Sequence, residues 1–213
     1  MKYSIRLLPI LLLLIPLNAY PLNLDRMLDQ GPLITINRDN NERFESITTY
    51  ALVSAPLQYV WDTVLNIEDY ARYMPRMVSS EIVQRNGDNT EIIAAFELDT
   101  AISNTKYKLR YSIDKKSNTI VINHYSGDLK GSQWHWEFQA QGEDTIIICT
   151  GASKNFSAFI KAIDDSTQTL TVGINIMSML ANIRYIKERS EELYGYDKSV
   201  LSSAGNNSKL SSP

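Results

Sequence analysis

A strict alternation of apolar and polar residues over 133–139 constrains the fold more than any other feature of the chain. Trp134, Trp136 and Phe138 occupy every second position, and polar side chains occupy the positions between them. Successive side chains of a β-strand point to opposite sides, so this segment is predicted to be a strand with one apolar face and one wet face. Such strands pair in antiparallel sheets, whose apolar face needs a cover.

Other short alternating or apolar runs, separated by turn residues, predict further strands of the same sheet. The clearest hairpin signal is Asn86-Gly87-Asp88, which lies between two of these runs. The predicted strands are 44–53, 78–85, 91–98, 106–113, 119–125, 133–139 and 145–153. We therefore expect an antiparallel sheet of about seven strands.

A long helix near the C-terminus is predicted to cover the apolar face. Residues 166–193 contain no proline, and their apolar side chains recur at helical spacing. The apolar stripe comprises Val172, Ile176, Met179, Leu180, Ile183 and Ile186. Residues 164–166 resemble an N-terminal capping box, and Gly195 is expected to end the helix. A further short amphipathic helix is expected over 155–163.

Two short helices are predicted after the first long strand. Apolar residues over 57–65 recur at helical spacing, with Pro56 in the first turn and Ser54 placed as the N-cap. Residues 67–73 predict the second helix, which the following Pro75 ends. Nearer the N-terminus, 24–28 could form one more short helix, ahead of a brief apolar run over 33–36.

The N-terminus has the pattern of a secretory signal peptide. Lys2 and Arg6 precede an apolar stretch from Leu7 to Leu17, and the small residue Ala19 follows it. The stretch is shorter than the roughly 20 residues that span a bilayer. We expect cleavage after Ala19 and an exported protein, periplasmic or secreted. An uncleaved anchor or a buried N-terminal helix is the alternative.

Composition and charge exclude several classes of function. A formal net charge of -3 lacks the basic field that a nucleic-acid-binding protein needs. Two histidines and one cysteine, at no ligand spacing, make a transition-metal site unexpected, and no Gly-rich phosphate loop is present. We expect no metal and no cofactor. Cys149 lies in an apolar run and is expected to be buried in a strand, and a single cysteine allows no internal disulfide.

The residues that follow the first strand resemble a known superfamily. Val53-Ser-Ala-Pro-Leu-Gln-Tyr-Val-Trp-Asp-Thr-Val-Leu65, then Glu68-Asp-Tyr70 and Tyr73-Met-Pro75, are similar to the opening signature of the START-like helix-grip superfamily. The similarity is to its polyketide cyclase/dehydrase and lipid-transport branch, also called SRPBCC. The resemblance implies an α+β helix-grip fold, a curved antiparallel sheet wrapped around a long C-terminal helix, with a hydrophobic cavity between them.

The residues expected to line this cavity are mainly aromatic. They lie on the apolar sides of the predicted strands and on the long helix. The cavity-lining residues are predicted to be Phe96, Tyr107, Tyr111, Trp134, Trp136, Phe138, Met177 and Leu180. The same residues could instead fill a solid core, because composition alone does not separate a core from a pocket.

Three functions fit these features, and the first is the leading hypothesis. The chain is an exported, non-enzymatic protein that holds a lipid or another apolar small molecule in the cavity. The second is a cyclase/dehydratase-type enzyme that uses a cavity tyrosine, His124 or Glu97 as an acid or base. His124 shares a predicted face with Ile120 and Ile122, but a histidine there is more often a satisfied core or rim residue. The third is an interaction module at a membrane, which would show an exposed apolar patch near 70–77.

The domain organisation follows from these assignments. We predict a signal peptide over 1–19, an N-terminal extension over 20–42, a START-like domain over 43–194 and a disordered tail over 195–213. The expected protein is a monomer that binds no nucleic acid, and a transient membrane contact is left open.

Overall fold

An eight-stranded antiparallel sheet organises the chain, seen here in a computed structural model that describes residues 24–99, 104–127, 130–152 and 169–209. The strands are β1 (Leu33–Arg38), β2 (Phe44–Val53), β3 (Met77–Arg85), β4 (Glu91–Leu98), β5 (Thr105–Asp114), β6 (Thr119–Gly127), β7 (Gln133–Gln141) and β8 (Asp144–Ala152). Their order across the sheet is β1-β2-β8-β7-β6-β5-β4-β3, and β1 and β3 form its edges. The sheet is curved, and the α+β helix-grip class predicted above is confirmed.

The helices occupy the positions that the sequence predicted, with a different extent. They are α1 (Leu24–Leu28), α2 (Leu57–Leu65), a 3-10 helix (Ile67–Asp69), α3 (Tyr70–Tyr73) and α4 (Thr169–Lys209). The second short helix is therefore a 3-10 turn that continues into a single α-helical turn. The helix expected over 155–163 and the capping box at 164–166 lie outside the described residues.

The eighth strand comes from the predicted N-terminal extension. β1 pairs with β2, with Leu33 opposite Tyr50 and Ile36 opposite Ile47. The alternating run 44–53 forms β2 as predicted, and β2 pairs with β8 through seven consecutive residues. Residues 33–38 therefore belong to the sheet itself, and they widen it beyond the strands predicted from alternation.

Ser54 does not cap α2, contrary to the prediction. The N-cap residue is Pro56, which makes no side-chain capping hydrogen bond. Ser54 takes part in a tertiary contact instead, because its backbone N–H donates to Glu191 Oε1 of α4 at 2.8 Å.

Gly195 does not end the C-terminal helix either. α4 has 41 residues and continues to Lys209, so its length is about 60 Å. Contacts on both sides of Gly195 support the continuation: Tyr194 packs on the Tyr59 ring with centroids 5.2 Å apart, and Tyr59 donates from its hydroxyl to Asp197 Oδ2 at 2.8 Å. One glycine costs a helix only about 1 kcal/mol, which such contacts offset. The predicted tail over 195–213 thus begins within this helix.

A polar corner fixes α4 against the end of β2. Lys187 Nζ donates to the Leu52 carbonyl oxygen at 3.0 Å and pairs with Glu191, which also accepts from the Ser54 backbone. One turn away, Ser190 Oγ donates to Thr63 Oγ1 of α2 at 3.1 Å, and both side chains are buried. These bonds join α2, α4 and β2, so they set the position of the helix relative to the sheet.

The hydrophobic core lies between one face of the sheet and the helices α2, α3 and α4. We call this the inner face. From α4, Met179, Ile183, Tyr185 and Ile186 are buried in the core. Met177 and Leu180, by contrast, are 73% and 36% exposed. The buried side of α4 therefore contains only part of the apolar stripe that the sequence predicted.

We predict that Ile183→Ala lowers the free energy of unfolding by about 2–4 kcal/mol, because the side chain is 1% exposed and its loss leaves a cavity. The matched variant Met177→Ala, on the same helix, should change it by less than about 0.5 kcal/mol. Urea unfolding followed by circular dichroism measures both. Equal losses would contradict the observed orientation of α4.

Candidate functional site

The register of the sheet brings the predicted site residues of the strands onto the inner face. Trp134 and Trp136 of β7 lie opposite Ile122 and Ile120 of β6, and Phe96 of β4 lies opposite Tyr107 of β5. Phe96, Tyr111, Trp134, Trp136 and Phe138 are all buried, and Tyr107 is partly buried. These six side chains are thus part of one apolar surface, as the alternation predicted. Their role as cavity lining stays a prediction.

The two helix residues of the predicted lining lie elsewhere. Met177 and Leu180 are exposed and stand apart from the buried stripe of α4. Alternation in a strand assigns each residue to one of two faces, whereas a helix that is apolar on several sides leaves its orientation open. The apolar N-terminal half of α4 is a helix of this kind.

Helix side chains contact the aromatic inner face directly. The Trp61 ring of α2 meets the Phe138 ring edge-on, with centroids 5.4 Å apart. The ring centroid of Tyr70 in α3 lies 6.2 Å from that of Phe96 and 5.3 Å from that of Tyr185 in α4. The Tyr70 hydroxyl donates to the Val64 carbonyl oxygen at 2.6 Å, so this buried phenol has its partner.

Three stacked rings cross β4, β5 and β6, and we call them the aromatic row: Phe96, Tyr107 and His124. The ring centroids of Phe96 and Tyr107 are 5.4 Å apart, those of Tyr107 and His124 are 5.6 Å apart, and both pairs are tilted by only 18°. The β5–β6 register shifts between Lys108 and Leu109, and this irregularity places Tyr107 opposite Gly127.

Gly127 makes room for this row. Its φ is 89°, and a Cβ atom there would lie 2.3 Å from the Lys106 carbonyl oxygen and 2.9 Å from Tyr107 Cβ. A larger residue would push β5 away, so glycine allows the close approach that this end of the row requires.

His124 is an inner-face histidine, and its burial determines its charge. The side chain is 8% exposed, and burial lowers the pKa of the imidazole to about 4. The ring is therefore neutral near pH 7. Burial also raises the pKa of Tyr107 to about 12 and that of Tyr111 well above its ordinary value, so both phenols keep their protons.

Three buried polar atoms have no hydrogen-bond partner within the part of the chain that the structure describes. They are Thr49 Oγ1, His124 Nδ1 and Trp136 Nε1. All three belong to inner-face residues, and Thr49 and Trp136 flank Cys149 in one row of the register. Sequence reasoning did not single out Thr49, although the alternation of β2 places it between the buried Ile47 and Ala51.

Glu97, which the second hypothesis named as an acid or base, points away from this face, and Asp99 and His135 are exposed. Glu97 alternates with the inward Phe96, accepts from Asn104 at 2.6 Å and pairs with Lys106. The Asn104 hydrogen bond lowers the pKa of the Glu97 carboxyl. Asp99 pairs with Arg76 at the end of β4, and His135 is exposed. Glu97 is therefore no inner-face acid, contrary to the second hypothesis.

Cys149 is fully buried, and burial raises the pKa of its thiol well above the ordinary value. Among the described residues, no group of three or more histidine, cysteine or acidic side chains could hold a metal ion. None of the described helices combines the length and apolar character needed to cross a membrane.

Comparisons with known proteins agree with this architecture. Residues 53–173, more than half of the chain, match the family model for polyketide cyclase/dehydrase and lipid transport. The Zhui aromatase/cyclase from Streptomyces sp. R1128 is 15% identical, with a TM-score of 0.58 over 68% of this chain and 93% of that one. A STAR-related lipid transfer protein from Xanthomonas axonopodis is 13% identical, with a TM-score of 0.51 over 73% and 94% of the two chains. At such identities the similarity shows the fold. No curated protein matches the chain by sequence.

The depressed pKa of His124 predicts a loss of stability in acid. Between its ordinary value of 6.5 and about 4, the unfolded chain binds a proton that the folded chain does not. The stabilising effect is therefore fully present above pH 6.5 and is lost as the pH falls toward 4. From pH 7 to pH 5 we expect His124 to account for a loss of about 1–2 kcal/mol.

Urea midpoints of the wild type and His124→Phe at the two pH values isolate this contribution, because the exposed carboxylates remain in both proteins. The variant should show a smaller acid-induced loss. An equal loss in both proteins would contradict the buried, neutral state of His124.

Proposed function

Because the chain belongs to the polyketide cyclase/dehydrase and lipid transport family, we propose that it is an exported protein that holds a lipid or another apolar small molecule between the inner face and α4. We further propose that the protein is a monomer and that it contacts a membrane transiently. A ligand of this kind is sparingly soluble in water, so exchange at a membrane surface is the direct route.

The observation that carries the proposal is the combination of a wide aromatic face and unsatisfied polar atoms within it. A buried polar atom without a partner is costly, so each one calls for an explanation, such as a bound molecule that supplies the missing hydrogen bond. Here three such atoms occur on the same face, among the rings of β6 and β7 and beside Cys149. A bound molecule could pack its apolar body on the aromatic face and offer its polar group as a hydrogen-bond partner to one of these atoms.

The shifted pKa values support binding over acid–base catalysis. A general acid or base works best when its pKa lies near the working pH. Burial moves the pKa of His124 to about 4 and that of Tyr107 to about 12, both away from neutrality. Glu97 points to the opposite side of the sheet from the inner face, so no carboxylate among the described residues lies beside His124 or Tyr107. This arrangement favours a binding protein over a cyclase or dehydratase.

The region predicted for a docking patch gives limited support to the third hypothesis. Tyr70 is buried, and Met74 and Met77 pack partly against the core. Tyr73 and Val78 are 43% and 51% exposed, but the Arg189 guanidinium covers the Tyr73 ring at 4.7 Å. The apolar surface here is interrupted, so ligand binding on the inner face is the better supported function.

We predict that the purified protein binds N-phenyl-1-naphthylamine, an uncharged apolar fluorophore. Its emission should rise and shift to the blue in a saturable manner, and the protein's tryptophan emission should fall by energy transfer. Trp134→Phe and Trp136→Phe should each reduce the transfer without removing binding, because both rings belong to the inner face.

Urea-unfolded protein is the control for non-specific association. A fluorophore signal that never saturates, or that is the same with the unfolded chain, would contradict a binding site on the inner face.

The proposed export has its own test. When the full chain is expressed in a Gram-negative bacterial host, we expect the protein in the periplasmic fraction with Tyr20 as its first residue, as read by intact mass. Ala19→Arg places a large charged residue before the cleavage site and should keep the leader attached. Wild-type protein that retains residues 1–19 in the cytosolic fraction would contradict export.

A further inference from the structure

We propose that His124 hydrogen-bonds an uncharged polar group of the ligand, a hydroxyl or a carbonyl, so that the ligand is a neutral amphiphile and not an ionised fatty acid or a phospholipid. This inference rests on the function proposed above and names the ligand class for the same site.

The aromatic row leaves only one part of the imidazole free to bind. Because His124 stacks on Tyr107 at 5.6 Å and 18°, a ring face is occupied by an aromatic contact. Hydrogen bonds of an imidazole lie in the ring plane, so its edge is the available part. On that edge Nδ1 is buried and has no partner among the described residues, while the side chain as a whole is 8% exposed. A buried nitrogen of this kind is costly to leave unsatisfied.

The position of His124 makes it the most accessible of the three unpartnered groups. Thr49 and Trp136 flank the fully buried Cys149, and Thr49 is itself 0% exposed. His124 lies near the end of β6, where its backbone N–H bonds to Ser132 and its ring adjoins the only partly buried Tyr107. A ligand that enters along the aromatic row would therefore reach His124 before it reaches Thr49 or Trp136.

The charge of the surroundings decides which polar group fits. Every buried polar side chain within the described ranges is of an uncharged type or is the neutral His124. These residues are Thr49, Thr63, His124, Ser132, Thr145, Asn175 and Ser190. No buried lysine or arginine in those ranges could compensate a carboxylate or a phosphate, and an unpaired buried anion is far more costly than a neutral group. A neutral imidazole can donate or accept at Nδ1, so both a hydroxyl and a carbonyl fit.

A competition experiment tests this inference. The purified wild-type protein is loaded with N-phenyl-1-naphthylamine, which is then displaced by decane, decan-1-ol, decan-2-one or decanoate at pH 7. These probes share a chain length and differ in the polar group. We expect the alcohol and the ketone to bind at least tenfold more tightly than ionised decanoate.

Variants of the two histidines provide the matched comparison. In His124→Phe the affinity for decan-1-ol and decan-2-one should fall about three- to tenfold, the effect of one lost hydrogen bond, while that for decane stays within about twofold. His124→Gln, which keeps a neutral hydrogen-bonding group, should retain much of the preference. His135→Phe makes the same replacement at an exposed position on the opposite face of the sheet, and it should leave the affinities for all four probes unchanged.

The outcomes separate this inference from the function on which it rests. If the fluorophore binds but His124→Phe leaves every probe affinity unchanged, Nδ1 bonds only to an ordered water and the inference is overturned. Decanoate binding as tightly as decan-1-ol would overturn the ligand class. If neither the fluorophore nor any probe binds the folded wild type, the proposed function itself fails. Should His124→Phe not fold, His124→Gln and the wild-type ranking of the probes still decide the question.

Discussion

The apolar inner face of the sheet has to be kept from water, and the rest of the structure depends on how α4 is held over it. The contacts that fix α4 are concentrated at one corner, where Lys187 and Glu191 bind the backbone at the end of β2 and Ser190 bonds to Thr63. On the N-terminal side of these residues, Tyr185 packs on Tyr70, which in turn adjoins Phe96. The helix is thus anchored near its middle, beside α2 and α3.

The inner face also carries unsatisfied polarity, on β2, β6 and β7. Thr49, His124 and Trp136 each keep a buried polar atom without a partner in the described chain, although the surrounding side chains are almost all apolar. Burial also keeps the ionisable groups uncharged, since it lowers the pKa of His124 and raises the pKa of Tyr107. A dry, neutral surface with a few free hydrogen-bonding atoms is suited to recognising a molecule that is itself mostly apolar.

The sheet could be predicted from the sequence because alternation is a short-range signal. Trp134, Trp136 and Phe138 face inward as the pattern required, and His124 shares their side with Ile120 and Ile122. The orientation of α4 could not be predicted in the same way, because its N-terminal half is apolar on several sides and Met177 lies outside the buried stripe. Ser54 and Gly195 depart from their local preferences because contacts distant in sequence, with Glu191 and around Tyr59, determine the local structure. The stacking of His124 on Tyr107 depends on a register shift and on Gly127, which a single strand pattern does not reveal.

Native mass spectrometry of the protein purified from cells tests the central claim, that an apolar molecule occupies the space beside the inner face. The account predicts a complex heavier than the chain by the mass of one small molecule, which organic solvent extracts as a neutral compound and which the unfolded protein releases. A folded protein that carries no such molecule, and whose mass stays that of the chain alone after incubation with a membrane lipid extract, would contradict it.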